Sequence, residues 1–562
     1  MADIADHAPP KVKTKGWFKP KASVETNPIG KWKPHPQATL REYTGSNRTG
    51  TRTRLVLFFA LVTFCFLYGL IFAALAPLLM VPMAFPVIFL AALLLWALPE
   101  TGKPPLKTLE FLFFSFFIAL LMWPNYLAIA LPGLPWITIL RLVAVPLALT
   151  LLVCISVSSE FRSRLTTIQK QIPWLCRLIL AFLAIQIVSI LFSSNKGLSA
   201  NVLISVIITW IFPFFVGCYI LAEDERSERF VGLMGGLAVA LSAIALWEHS
   251  LNRVPWAGHI PSFLQVDDPN VERFLAGTSR LGGAHRVQAT FTTSLGLSEY
   301  LALVTPFMLH FAASRYRIIV RLLAGCAVPI MLGTAVLSQA RVGLVGMLLA
   351  ILIYPLTRIF FYWRRNPQNL AASTVVLLSP ALFAGGLVLA YLIPGIRYRV
   401  LGGGSDQYSN QGRVEQIHMG VPKILGQPWG HGIGQGAETL GYFASGGNLT
   451  IDSHPLRLAL EYGVIGFVVY YAIFAIALIN AFRSASALSL DEKPSLFVPI
   501  AIALICFPIM QTAFAQEDNH PIIYTLLGML VALTYRHFGA DAVIRVPNST
   551  EPLPSRMAVF GA

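Results

Sequence analysis

The sequence predicts an all-α, polytopic integral membrane protein with about 12–14 transmembrane helices of roughly 20 apolar residues each and one large, partly helical loop outside the bilayer. Three observations predict it. Of 562 residues, 56% are hydrophobic and only 12% charged, whereas about a quarter of a soluble domain is charged. Mean hydropathy is +0.66. Apolar runs of spanning length recur along the chain, and the longest polar interruption in its body, 395–455, lies between two of them. The net charge of +15 would point to nucleic acid in a soluble chain. Here it is explained by basic residues retained on the cytoplasmic side, so membrane lipids are expected as partners and nucleic acid is not.

Residues 1–54 are rich in Lys, Pro, Thr and Gly and too poor in apolar side chains to fold alone. They are expected to form a disordered basic cytoplasmic tail, a polybasic surface for anionic lipid being the functional alternative. The first apolar run begins too late for a cleavable secretory signal. Crossings are then expected near 55–75, 79–98, 108–124, 136–157, 174–194, 200–221, 230–249, 294–313, 319–338, 342–362, 371–394, 456–482, 496–515 and 521–536. Lys and Arg accumulate in alternate loops, at Lys103 and Lys107, Arg162 to Lys170, Arg226 and Arg229, Arg315 to Arg321, Arg358 to Arg365, and Arg483 and Lys493. Short cytoplasmic loops collect such residues. Both termini are therefore expected in the cytoplasm, with loops 251–293 and 395–455 in a periplasm or its equivalent. The chain divides into the tail 1–54, N-terminal transmembrane helices 55–250, a core 251–482 holding both outer loops, C-terminal transmembrane helices 483–537 and a cytoplasmic tail 538–562. No ATP or nucleotide sugar is present on the outer side, so a reaction there needs a pre-activated, lipid-carried donor or no donor.

All six cysteines (Cys65, Cys154, Cys176, Cys218, Cys326 and Cys506) fall in apolar runs and read as small buried hydrophobes rather than disulfide or zinc residues. Three arginines stand where the cytoplasmic bias does not put them. Arg286 closes the first outer loop, Arg341 lies in SQARVGLVG at an outer hinge between two helices, and Arg413 lies in GRVEQI of the long loop. A guanidinium at a membrane boundary is costly unless paired, and its planar fork suits bidentate capture of phosphate oxygens. The structural alternative pairs these arginines with Glu299, Glu415 or Glu461, although Arg341 has no close sequence neighbour of opposite charge. His454 follows Asp452 and Ser453 at the mouth of a helix and can accept a proton near neutral pH. His285, His418, His431 and His520 face the same side without the spacing or companion carboxylates of a zinc site, so neither metal nor cofactor is expected. The run GHGIGQG (430–436) lacks the strand and helix context of a phosphate cradle. It reads as backbone freedom for a tight crossing near a substrate.

Taken together, HRVQATFTTSLGLSEYLALVTPF, LSQARVGLVGMLLAI, GRVEQIHMGVPKILGQPWGHGIGQG and SHPLRLALEYGVIGFVVYYAIF resemble, in order and spacing, the O-antigen ligase and polymerase superfamily. The resemblance covers residues 270–480. It implies a GT-C-like bacterial inner-membrane glycosyltransferase of O-antigen or exopolysaccharide assembly. Such an enzyme takes a glycan from undecaprenyl diphosphate, with inversion and without a metal, and passes it to lipid A-core, another glycan or a protein side chain. Carried over residue by residue, the resemblance makes Arg286, Arg341 and Arg413 the diphosphate-binding residues and His454 the catalytic base. Pro455 stands where a polar residue usually follows that histidine, and Thr292, Thr293 and Ser294 stand where Asn-Pro-Asn often does. A lipid-linked glycan flippase or transporter is the reading from another class. Arg141, inside the run 136–157, serves it best, but the gathering of charge at the outer boundary favours the enzyme.

Overall fold

Apolar runs this long fold as helices because, in hydrocarbon, every backbone N–H and C=O has to be satisfied within its own segment. The structure, a computed structural model, describes residues 102–130, 136–279, 285–392, 407–444, 447–488 and 495–539, with isolated positions before residue 102. The two expected tails, but for residues 538 and 539, and the crossings at 55–75 and 79–98 lie outside the described residues, isolated positions apart. From 108 onward each expected crossing coincides with a helix, and among the described residues eight helices are long and apolar enough to span a membrane by length and hydropathy alone. The protein is an all-α polytopic membrane protein.

In chain order the helices begin with α1 (Leu106–Met122), α2 (Ile139–Val157), α3 (Ser159–Gln169), α4 (Pro173–Ser189) and α5 (Lys196–Val206). A π-helical turn, Ile207–Ile211, joins α5 to α6 (Phe212–Ile220), followed by α7 (Arg226–Leu251) and the short α8 (Pro269–Ala276). Two-residue strands β1 (Thr278–Ser279) and β2 (His285–Arg286) pair antiparallel. Then come α9 (Ser294–Ala313), α10 (Ile318–Leu337), α11 (Arg341–Arg365), α12 (Leu370–Leu392), α13 (Gln407–Gly426), α14 (Gly436–Leu440), α15 (His454–Ala487), α16 (Phe497–Gln511) and α17 (His520–Phe538).

Helices apolar on every side belong in the interior, and α9 and α17 bury nearly their whole circumference. Against α9 pack α10, α11 and α16; α17 packs on α6, and α15 on α4 and α16. Lipid supplies no hydrophobic drive between spans, so close approach at small residues takes over. A Cβ at Gly343 would lie 2.2 Å from Ser298 Oγ, and one at Gly346 2.3 Å from Met510 Sδ. This small face presses α11 onto α9 and α16 and fixes the height of Arg341 at its first residue. Outward-facing Leu322, Leu323, Val464 and Val468 are exposed, as lipid-facing side chains are. Cys326 shares that exposure, so the expectation that it is buried is corrected: a hydrophobe on a span rests equally well against lipid. Cys154, Cys176, Cys218 and Cys506 are buried, and Cys65 lies outside the described residues.

Polar groups collect at two ends. One end carries ion pairs between Arg226 and Glu110 (2.7 Å), Arg536 and Glu228 (3.0 Å), and Arg164 and Glu223. The opposite ends of α7, α9, α11 and α17 carry Glu248, Ser294, Arg341 and His520. Arg141 proves to lie in the first turn of α2, donating Nη1 to Trp136 O at 2.8 Å. It anchors a helix end, which removes the observation behind the transport role given to it.

α15 is broken. Gly463 has φ 68° and ψ −172° inside the helix, a conformation essentially confined to glycine. The break accepts the loop at 427–436: Val464 N donates to Pro428 O at 3.1 Å, and Gly432 N to Glu461 O at 3.0 Å. A Cβ on Gly463 would lie 2.0 Å from Pro428 O. Gly463→Ala should therefore cost about 1–3 kcal/mol from backbone conformation alone, with the collision added. A thermal melt in detergent checks this, with Gly385→Ala, whose Cβ would meet nothing within 4 Å, as the unaffected control.

Candidate active site

The connection between α16 and α17, Gln511 to Asn519, organises the polar end. Its carbonyls and side chains take partners from several distant helices. Arg413 of α13 donates Nη2 to Ala513 O at 3.1 Å and Nη1 to Asn410 Oδ1 at 3.3 Å. Arg457, one turn into α15, donates Nη1 to Ala515 O at 3.0 Å and pairs with Glu461 at 2.9 Å and Glu517 at 3.3 Å. From the start of α9, Thr292 donates to Asp518 at 3.0 Å and Thr293 to Gln516. Thr292 and Thr293 thus tie the start of α9 to this connection. Asn519 Nδ2 donates to Gly296 O at 2.9 Å and Glu299 at 2.8 Å, and Gln511 Nε2 to Glu299 at 2.9 Å.

Arg286 reaches the turn between α10 and α11, the turn that Arg341 follows as the first residue of α11. Nε of Arg286 donates to Ser338 O at 3.2 Å, and Gln339 takes a left-handed φ of 51° so that α11 begins at once with Arg341. The approach of Arg286 is set from α7. The buried Glu248 accepts from Gln288 N at 3.0 Å and Ala289 N at 2.7 Å, and its other oxygen lies 2.7 Å from His285 Nε2. Two of the three carboxylates offered by sequence proximity are otherwise engaged: Glu299 takes the amides of Gln511 and Asn519, and Glu461 takes Arg457 and, at 3.2 Å, Gly436 N, while Glu415 is exposed on α13. Nε of Arg413 is buried without a hydrogen-bond partner among the described residues.

His454 is the first residue of α15 and only 1% exposed. Among the described residues neither ring nitrogen has a hydrogen-bond partner. Its ring centroid lies 4.9 Å from that of His520 and 5.4 Å from that of Tyr470. Tyr470 OH lies 3.0 Å from His520 Nε2, and Trp210, on the π-helical turn, stacks on His520 at 4.4 Å. The structure thus gathers Arg286, Arg341, Arg413 and His454 at one end of the helices. His418 is exposed on α13, and His431 lies 3.1 Å from Leu460 O through Nδ1. Among the described residues no three His, Cys, Asp or Glu side chains converge as metal ligands.

The GHGIGQG run is held in place by its backbone. Its Ile433 N donates to Ser189 Oγ at 3.2 Å and its Ile433 O accepts from Ser199 Oγ at 2.6 Å. The glycines serve close approach: a Cβ at Gly432 would meet Ser193 at 2.6 Å and one at Gly430 Glu461 O at 2.4 Å.

Sequence reasoning missed Arg457, Glu517 and Asp518. The signals were there: Arg457 and Glu461 have the i, i+4 spacing of a helix pair, and QEDN stands alone between two apolar runs. Burial, reinforced by Glu461 and Asp518 and opposed by Arg457, pushes the Glu517 carboxyl up to about 7. Burial also raises Asp518, with the Thr292 hydroxyl bond opposing. A carboxyl raised from 4.5 to about 7 binds more protons folded than unfolded, so its contribution to stability is full below about 4.5 and is lost as pH rises through about 7. Glu517→Gln should flatten the fall of thermal stability between pH 5 and 8, measured as midpoints of the pure protein. An unchanged profile would remove Glu517 as its source.

No curated protein matches the chain. Residues 326–471 match the family described as O-antigen ligase. The matched stretch runs from α10 to the first half of α15 and contains Arg341, Arg413, the GHGIGQG loop, His454 and the break at Gly463, while Arg286 precedes it. Within its polytopic helical membrane fold, the chain thus carries an O-antigen ligase domain over residues 326–471.

Proposed function

We propose that the chain is a metal-independent, inverting glycosyltransferase that moves a glycan from undecaprenyl diphosphate to an acceptor hydroxyl on the periplasmic side. O-antigen ligase-type glycosyl transfer is the activity class of the matched domain. The finer reading rests on one observation: Arg286, Arg341 and Arg413 stand at the same end as a buried histidine whose two ring nitrogens have no partner among the described residues. In the reaction the bond from the sugar anomeric carbon to the diphosphate oxygen breaks, and the electron pair leaves with the diphosphate. The acceptor oxygen bonds to the anomeric carbon from the opposite face, and its proton passes to a ring nitrogen of His454. The three guanidinium groups offset the charge gathering on the diphosphate, as hydrogen-bond donors aimed at developing charge do. Because the transition state is oxocarbenium-like, easing the leaving group counts at least as much as activating the hydroxyl. The imidazole is covered, so acceptor binding has to open a path to it.

The acceptor class is lipid A-core, the end of another lipid-linked glycan, or a protein side chain. The test is reconstitution of purified protein with a lipid-linked repeat and each acceptor, with chelator present. The reading predicts product of inverted anomeric configuration at an unchanged rate; loss of activity in chelator that returns with a divalent cation contradicts it. The break in α15 beside Arg457 and Glu461 favours one other reading, a lipid-linked glycan flippase, since transporters place broken helices and charges at their substrate sites. Movement of the lipid between leaflets with no new glycosidic bond would decide for that reading.

A further inference from the structure

α13 divides its circumference into three. One face is tied to the rest of the polar end by Arg413 to Ala513 O, Gln416 to Asp452, Gly420 against Leu456 and Lys423 to Leu440 O. A second, carrying Gln411, Glu415 and His418, is polar and exposed. The third carries Val414, Ile417, Val421 and Leu425 at helical spacing, exposed by 55, 48, 44 and 75%, and Trp429 follows at 62%. Among the described residues no other helix covers this stripe, although its residues are as apolar as those of a span. Its occupant is indicated by what adjoins it. Pro428 O accepts from Val464 N at 3.1 Å, and Val464, Ile465 and Val468 are the exposed apolar face of α15 beyond its break. The stripe therefore continues into the lipid-facing surface of a membrane span, ending in a tryptophan, the side chain enriched at membrane boundaries.

We propose that α13 is an interfacial helix whose Val414 to Leu425 stripe is set into the outer edge of the bilayer. An apolar arc against lipid with a polar arc toward water is the pattern of such helices, which sink about 5–10 Å into the boundary between headgroups and acyl chains. Arg413, next to the first stripe residue and turned to the polar end, is then held at the depth of lipid phosphates. The proposal rests on the membrane character of the chain and not on the glycosyl-transfer reading, so each can fail without the other.

The test uses the wild-type chain in nanodiscs made with a phospholipid that carries a photoactivated diazirine near the top of its acyl chain, with adducts mapped by mass spectrometry. Val464 and Val468 are the internal positive control. The expected result is adducts on Ile417, Val421, Leu425 and Trp429 and none on Gln411, Glu415 or His418. Modification of Val464 and Val468 with the α13 stripe unmodified would overturn the proposal and assign the stripe to a protein surface, whether of this chain or of a second copy.

Discussion

His454→Ala is expected to slow glycosyl transfer by about 100- to 10,000-fold, the range that a positioned general base contributes. Two histidines are close enough to compete for the role, and their surroundings separate them. Nε2 of His520 lies 3.0 Å from Tyr470 OH, and the ring is stacked under Trp210, so its orientation is already taken up by structure. His454 has no such commitment at either nitrogen and starts the helix that also carries Arg457. A base has to present a ring nitrogen to the acceptor hydroxyl, and among the described residues no group hydrogen-bonds to either nitrogen of His454. Because the side chain is buried, the variant has to be shown to reach the membrane at wild-type level and to melt within a few degrees of wild type. His454→Gln, which keeps more of the volume, should be as slow as His454→Ala. A rate within tenfold of wild type in both variants would remove His454 from the chemistry.

Arg341→Ala is expected to lower turnover at least about 100-fold, since loss of one donor aimed at developing charge raises a barrier by roughly 2.7–4 kcal/mol. α11 begins at this residue and is held by Gly343 against Ser298 and Gly346 against Met510, none of which the substitution touches. The protein should remain in the membrane with α11 intact. Arg341→Lys keeps the charge and loses the planar fork, so its activity should fall between the two. Near-normal turnover of Arg341→Ala would exclude a role in stabilising the leaving diphosphate.

The fold was legible because apolar length is a local property. Each crossing from 108 onward could be read from its own residues, and Arg286, Arg341 and Arg413 stand out in the sequence because they go against the charge bias expected of the loops. What could not be read was everything that depends on distant segments meeting. His454 and His520 come together only because α15 and α17 start at the same level, and sequence spacing carries no trace of their 4.9 Å ring contact. The pairing of Arg457 with Glu517 has the same origin. Glu299 and Glu461, near enough in sequence to look like partners for the arginines, were drawn elsewhere by Gln511, Asn519 and Arg457. Arg141 misled for the opposite reason: its run was read as starting three residues early, which moved a helix-end anchor into the span.

The central claim is that the guanidinium groups and the imidazole share one non-cytosolic face of the membrane. Reporter fusions placed after residue 339 and after residue 452, read in whole cells by paired periplasmic and cytoplasmic enzyme reporters, test it most directly. The account predicts that both junctions report the periplasm. Signals from opposite sides of the membrane would contradict it.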